Sequence, residues 1–213
     1  VREELPGHPA GVLSGPNLAQ EILGGQAAAS VLAMDDPAIM GQLQPLFSSG
    51  LFRVYTNDDI AGCELGGVLK NVIAIACGMG DGMGAGDNTR AAMITRGLAE
   101  ITRLGTALGG KAETFAGLAG MGDLVTTCAS PLSRNRYVGE QLGRGRAIAD
   151  IVREMHTVAE GVWSTPVIVA LAAQHGVPVP MMQEVNRVLA GGNMRQAFRA
   201  LLRISAGAET DPG

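Results

Sequence analysis

The 213-residue chain carries 46 % apolar residues, enough for a real core, and its net charge of −4 without any Lys/Arg run argues against a nucleic-acid partner. Aromatics are only 3 % while glycines number 31, a mixture that favours closely packed helices over a β-sandwich. The three cysteines, Cys63, Cys77 and Cys128, lack metal-ligand spacing and read as buried free thiols of a reducing cytoplasm. No secretory signal or membrane span is expected, the longest apolar run being Val72 to Cys77. The chain opens on Val1, not Met, and is expected to be a piece of a longer protein.

In chain order, Gly11–Ser14 reads as a short strand that ends at Gly15-Pro16, with Pro16 suited to the first turn of a helix. Ala27–Ala33 reads as a second strand, followed after Asp35-Asp36-Pro37 by a helix to about Phe47, and Leu51–Tyr55 as a third. Strand, helix, strand, helix, strand predicts parallel pairing through crossover helices, as in the tail of a larger sheet. Asn57-Asp58-Asp59 starts a long helix to about Gly78, and Asp87-Asn88 is expected to cap another from Thr89 to about Leu108. Between them, Gly78–Gly86 has no G-x-G-x-x-G register and follows a helix, so it reads as a flexible connection. Further helices are expected near 133–143, 146–155, 161–174, 181–190 and 194–203. The division is an α/β remnant over 1–56, an all-α domain over 57–205 and a tail over 206–213.

Of the 16 basic residues only Lys70 and Lys111 are lysine, and Lys70 sits inside the apolar 57–78 helix. Gly62, Gly66, Lys70, Ala74 and Gly78 fall on one stripe of that helix, which leaves Lys70 alone on a lane cleared of side chains. Close packing of a neighbouring helix is one reading of such a lane. The other is a partly desolvated Lys that exchanges a proton near neutral pH. Asp123, after the glycine-rich Gly117–Gly122, can cap a helix or serve a site. Ser133 can cap the next helix, where Arg134 and Asn135 would suit phosphate oxygens.

Several collinear segments carry a stronger signal. They are Ser14-Gly15-Pro16-Asn17-Leu18-Ala19, Phe52 to Asp58, Glu64 to Ala74 around Leu69-Lys70-Asn71, Gly84 to Asn88, Ile94 to Glu100, Gly117 to Leu124 and Leu132 to Arg136. In this order and spacing the chain resembles bacterial NAD(P)-dependent glycerol-3-phosphate dehydrogenase, from about residue 11 to residue 205. The resemblance implies a mostly α fold: an all-α substrate domain preceded by a remnant of a doubly wound, Rossmann-like sheet.

It also implies reversible reduction of dihydroxyacetone phosphate to sn-glycerol 3-phosphate, with NAD or NADP as cofactor, for glycerophospholipid synthesis in the cytoplasm. Lys70 then moves the proton, and Gly15, Asn17, Lys70, Asn71, Asp123, Ser133, Arg134 and Asn135 bind the substrate. Ala19, Arg134, Val158 and Glu160 contact the cofactor, and no metal is implied. Asn17 and Leu18 depart from the family's Ser or Thr followed by Phe. The pyrophosphate-binding turn and a second substrate lysine are expected upstream, so the piece alone is expected to be inactive. Two alternatives stay open: another hydroxyacid dehydrogenase of the same architecture, and a non-catalytic helical oligomerisation fragment. A homodimer is left open as well.

Overall fold

The computed structural model describes residues 3–155 and 157–202. The tail expected over 206–213, and the end of the helix expected at 194–203, lie outside the described residues.

Three strands lead the chain: β1 (Gly11–Ser14), β2 (Ala28–Met34) and β3 (Phe52–Asn57), in spatial order β1-β2-β3. β2 and β3 run parallel, with Ala28 opposite Phe52 and Ala33 opposite Asn57. Helix α2 (Pro37–Phe47) makes that crossover; Asp36 caps it by accepting from the amides of Ala38 and Ile39, and Pro37 opens it. β1 departs from the parallel expectation. It pairs with β2 antiparallel, Ser14 facing Val31 and Gly11 facing Met34. The reason is the connection: α1 (Ala19–Leu23) has five residues, about 7.5 Å of helix, against about 23 Å for the seven residues of β2. So short a helix cannot return the chain to the start of the sheet, and the segment after Pro16 turns back beside its own strand. An antiparallel edge on an otherwise parallel sheet is a common arrangement.

β2 is buried on both faces by alternation. Leu32 and Met34 join Val54 under Ile39, Met40 and Leu43 of α2. Val31 and Ala33 point the other way, onto Cys63 and Ala119 of the helical part.

The rest is helical. Around α3 (Ile60–Gly82) stand α4 (Asp87–Ala107), α5 (Ala112–Ala116), a π-helical turn (Leu118–Gly122), α6 (Asp123–Ala129), α7 (Arg134–Gly143), α8 (Ile148–Glu154), α9 (Glu160–Gln174), α10 (Pro180–Leu189) and α11 (Met194–Leu202). Asp59 caps α3: its Oδ1 accepts from Gly62 N at 2.8 Å and its Oδ2 from Lys111 N at 2.7 Å. The cap expected from Asp87 and Asn88 does not form. Helix α4 begins one residue after Gly86, and Asp87 pairs with Arg90 instead.

The glycine-rich stretch also departs from expectation, since α3 runs straight through Gly78 and Gly80 to Gly82. Composition suggests flexibility, but the neighbours decide otherwise. A Cβ on Gly78 would stand 2.0 Å from the carbonyl oxygen of Arg136, and one on Gly139 of α7 would stand 2.0 Å from that of Ile75. Backbone meets backbone here, so both helices need glycine where they touch. By length and hydropathy α3 could cross a bilayer. It is instead the core helix, with every residue from Asn71 to Gly80 buried under α4, α6, α7, α9 and α10.

Candidate active site

Lys70 lies where the half-exposed first part of α3 gives way to the buried second part, its side chain 18 % exposed. Its Nζ pairs with Asp123 Oδ2 on the first residue of α6. Asp123 does not cap α6: the cap position is Gly122, and the Asp123 carboxylate meets the side chains of Lys70 and Thr127. Close approach makes this pairing available: a Cβ on Gly66, one turn before Lys70, would stand 2.5 Å from the Ala119 carbonyl oxygen. The lane thus serves close packing at Gly66 and Gly78, and Lys70 stands between them.

Asp123 is buried, and burial pushes its carboxyl above the ordinary range, against the lowering pull of Lys70 and of Thr127. Thr127 Oγ1 donates to Asp123 Oδ1 at 3.3 Å from one turn further along α6. Thr127 went unnoticed in the sequence, although its spacing of four from Asp123 is the signal that puts both on one helix face.

Beside Lys70 lies a polar chain. Asn135 Nδ2 donates to Asn71 Oδ1 at 3.0 Å, and Asn135 Oδ1 accepts from Gly161 N at 2.9 Å. Asn71 Nδ2 reaches Glu160 Oε2 at 3.5 Å. Helices α3, α7 and the start of α9 are therefore joined through two buried carboxamides. Ser133 caps α7 as expected, accepting from Arg136 N at 3.2 Å. Arg134 is exposed, and among the described residues it holds no ion pair. Arg136 turns away to Asp81 at 2.8 Å, where Arg90 also binds, so the two arginines of this motif part company.

At the end of β1, Gly15 has φ +133°, a conformation that favours glycine. The turn it makes reaches the other site elements: a Cβ on Gly67 would lie 3.4 Å from Ser14 Oγ, and one on Gly122 3.6 Å from Pro16. Asn17 follows, bonded to Ser30. Ala19 and Val158 stand at the surface, Val158 58 % exposed.

The starts of α7 and α9 carry groups that could hold a phosphate-bearing cofactor. Arg134 offers an open guanidinium, Val158 an apolar surface and Glu160 a carboxylate for amide or hydroxyl donors, all along the starts of α7 and α9. Among the described residues no group of His, Cys, Asp and Glu could hold a metal ion.

Known proteins carry the same pattern. Residues 59–199 match the sequence model of the NAD-dependent glycerol-3-phosphate dehydrogenase C-terminus. The whole chain is 63 % identical to a protein of Sphingopyxis alaskensis named glycerol-3-phosphate dehydrogenase (NAD(P)+) 2, of which it covers 64 %. It is 52 % identical over 98 % of its length to a Mycobacterium avium protein named glycerol-3-phosphate dehydrogenase (NAD(P)+), of which it covers 62 %. The crystal structure of glycerol-3-phosphate dehydrogenase from Coxiella burnetii superposes with a TM-score of 0.91 at 42 % identity, over 95 % of this chain and 62 % of that one. The chain belongs to the NAD-dependent glycerol-3-phosphate dehydrogenase family. It spans less than two thirds of the length of these relatives.

Proposed function

We propose that these residues serve the reversible, NAD(P)H-dependent reduction of dihydroxyacetone phosphate to sn-glycerol 3-phosphate. The observation that carries the proposal is the Lys70–Asp123 pair, set at the mouth of a buried helix and flanked by the Asn71–Asn135 network. The cofactor, which Ala19, Arg134, Val158 and Glu160 would hold, would supply or remove the hydride at the central carbon. The Lys70 ammonium polarises the carbonyl oxygen and gives it a proton in reduction, and the neutral amine takes a proton from the hydroxyl in oxidation. Asp123 holds the ammonium in place, and as a buried carboxylate it is balanced only while Lys70 is charged.

Arg134, open to solvent, would bind phosphate oxygens in the charge-assisted manner that guanidinium favours. Asn71 and Asn135 offer amide groups to the substrate's hydroxyl end, while Gly15 lets the β1 turn approach it. Ser133 places the start of α7 at the same spot. Val158, Glu160 and Ala19 would face the cofactor. Cys63, Cys77 and Cys128 are all buried thiols, which accords with a cytoplasmic setting.

The test is Lys70→Ala in the full-length enzyme. Its turnover with dihydroxyacetone phosphate and NADPH should fall by about 10²–10⁴-fold, with the far-ultraviolet circular dichroism and melting temperature close to the parent's. A variant that keeps its turnover would sink the assignment.

A further inference from the structure

Strand β2 reads Ala-Ala-Ser-Val-Leu-Ala-Met and has one polar side chain, Ser30. Ser30 is fully buried, and the next two residues of the strand, Val31 and Leu32, belong to the two apolar clusters. A hydroxyl placed there needs a partner. It has one: Asn17 Nδ2 donates to Ser30 Oγ at 3.0 Å, across the reversal from β1 to β2.

Ser30 touches that reversal a second time. Gly15 is pressed so closely on it that a Cβ at position 15 would lie 3.2 Å from Ser30 Cα. The far side of the reversal meets Gly67, one turn before Lys70 and Asn71, and Gly122, the residue before Asp123. The segment Ser14–Asn17 is therefore held between a buried serine of the sheet and the two elements that carry the Lys70–Asp123 pair.

We infer that Ser30 is a positioning residue that orients the Asn17 carboxamide for the substrate, an inference that rests on the function proposed above. One amide hydrogen of Asn17 is committed to Ser30, which restrains the carboxamide. The groups left to a ligand are then the acceptor Oδ1 and the second amide hydrogen. A hydroxyl both donates and accepts and so can meet this pair of groups, which suits the β1 turn to a hydroxyl-bearing end of the substrate, complementary to the phosphate contact offered by Arg134. Without Ser30 the carboxamide turns freely, and each substrate molecule that binds must order it.

Steady-state kinetics of the full-length enzyme, with dihydroxyacetone phosphate and NADPH varied in turn, test this on Ser30→Ala, Ser30→Cys, Asn17→Ala and the Ser30→Ala/Asn17→Ala double variant. Ser30→Ala should raise KM for dihydroxyacetone phosphate about fivefold, the order expected for one neutral hydrogen bond. Its kcat, its KM for NADPH and its melting temperature should stay near the parent values. Ser30→Cys keeps a polar atom at γ but makes it larger and a weaker acceptor, so it should lie between parent and Ser30→Ala. In the Asn17→Ala background Ser30→Ala should add nothing, because its effect passes through Asn17.

Additive effects in the double variant would overturn the inference, as would a matching rise in both KM values or a fall in melting temperature that tracks the loss. An unchanged KM in Ser30→Ala and Ser30→Cys, beside a raised one in Asn17→Ala, would overturn it while leaving Asn17 at the substrate. An unchanged KM in Asn17→Ala would remove Asn17 from the site and Ser30 with it, whereas the proposed reaction stands or falls separately with Lys70→Ala.

Discussion

The two halves of α3 use the same small residues to opposite ends. Up to Lys70 the helix is half-exposed, and Gly66 admits the Ala119 carbonyl, which brings Asp123 to Lys70. From Asn71 to Gly80 nothing is exposed, and Gly78 admits the Arg136 carbonyl, which brings in α7. A lane of small residues therefore marks close approach of backbone and does not by itself distinguish a site from a seam. The charge set among those residues does: desolvating an ammonium and a carboxylate together is costly, and here the cost falls where a ligand could reach them.

Four experiments would break or sharpen this contrast. The largest effect is expected from Gly78→Ala, whose new methyl group has only the Arg136 carbonyl and Glu140 amide to displace. Overpacking of this kind costs roughly 3 kcal/mol, to be read as a lower urea midpoint. A loss of kcat with unchanged stability would merge the two halves into one functional surface.

Next comes the wall that α10 contributes to the core. Glu100, on α4, is buried and accepts from the amides of Met181 at 2.7 Å and Met182 at 3.2 Å, with Arg103 and Arg96 contributing attraction. Burial pushes its carboxyl up to about 7 from 4.5. The folded state therefore binds this proton more tightly than the unfolded one. The associated stability is fully present below pH 4.5 and is lost as the pH rises through 7, an effect of about 2–3 kcal/mol. Glu100→Gln, neutral throughout, should flatten the change in urea midpoint between pH 5 and pH 8; an equally steep change would relocate it to another group.

Gly66→Ala should be gentler on stability, about 1 kcal/mol, since a five-residue turn can yield more than a long packed helix. Its effect should appear in catalysis. Displacing Asp123 by a fraction of an ångström should lower kcat about tenfold or more, and a variant with parental kcat would separate the Gly66 contact from the site. Lys111→Ala, the other lysine, breaks an exposed pair with Asp58. No measurable shift in melting temperature is expected, because such pairs are screened and the Asp59 cap draws on the Lys111 backbone amide.

How much of this was legible from the residues follows from what each feature depends on. Helices announced by Gly and Pro fell within a few residues of their places, and Ser133 does cap α7, because caps and breaks are local. The direction of β1 was not legible, because element order says nothing about whether a five-residue helix can span a sheet. Gly78–Gly82 was misread for a related reason: composition suggests freedom, and only the presence of α7 turns it into a contact. Lys70, Asp123 and Asn135 were singled out from scarcity, motif and resemblance. That Lys70 would touch Asp123, 53 positions away, and that Asn17 would lean on Ser30, are matters of tertiary placement that no local pattern encodes.

The seam between α3 and α7 also acts as an index. Asn71 meets Asn135, the Ile75 carbonyl faces Gly139, and the Met79 carbonyl faces Gly143, so a constant offset of 64 positions links the two helices, which run side by side in the same direction. Each carbonyl sits in a glycine notch, and a slide of α7 by one residue would drive a side chain into every notch at once. The lateral placement of Asn135 is thus set by notches up to two turns away from it. An inserted or deleted residue between Asn71 and Met79, or between Asn135 and Gly143, would put the site out of step with its own scaffold.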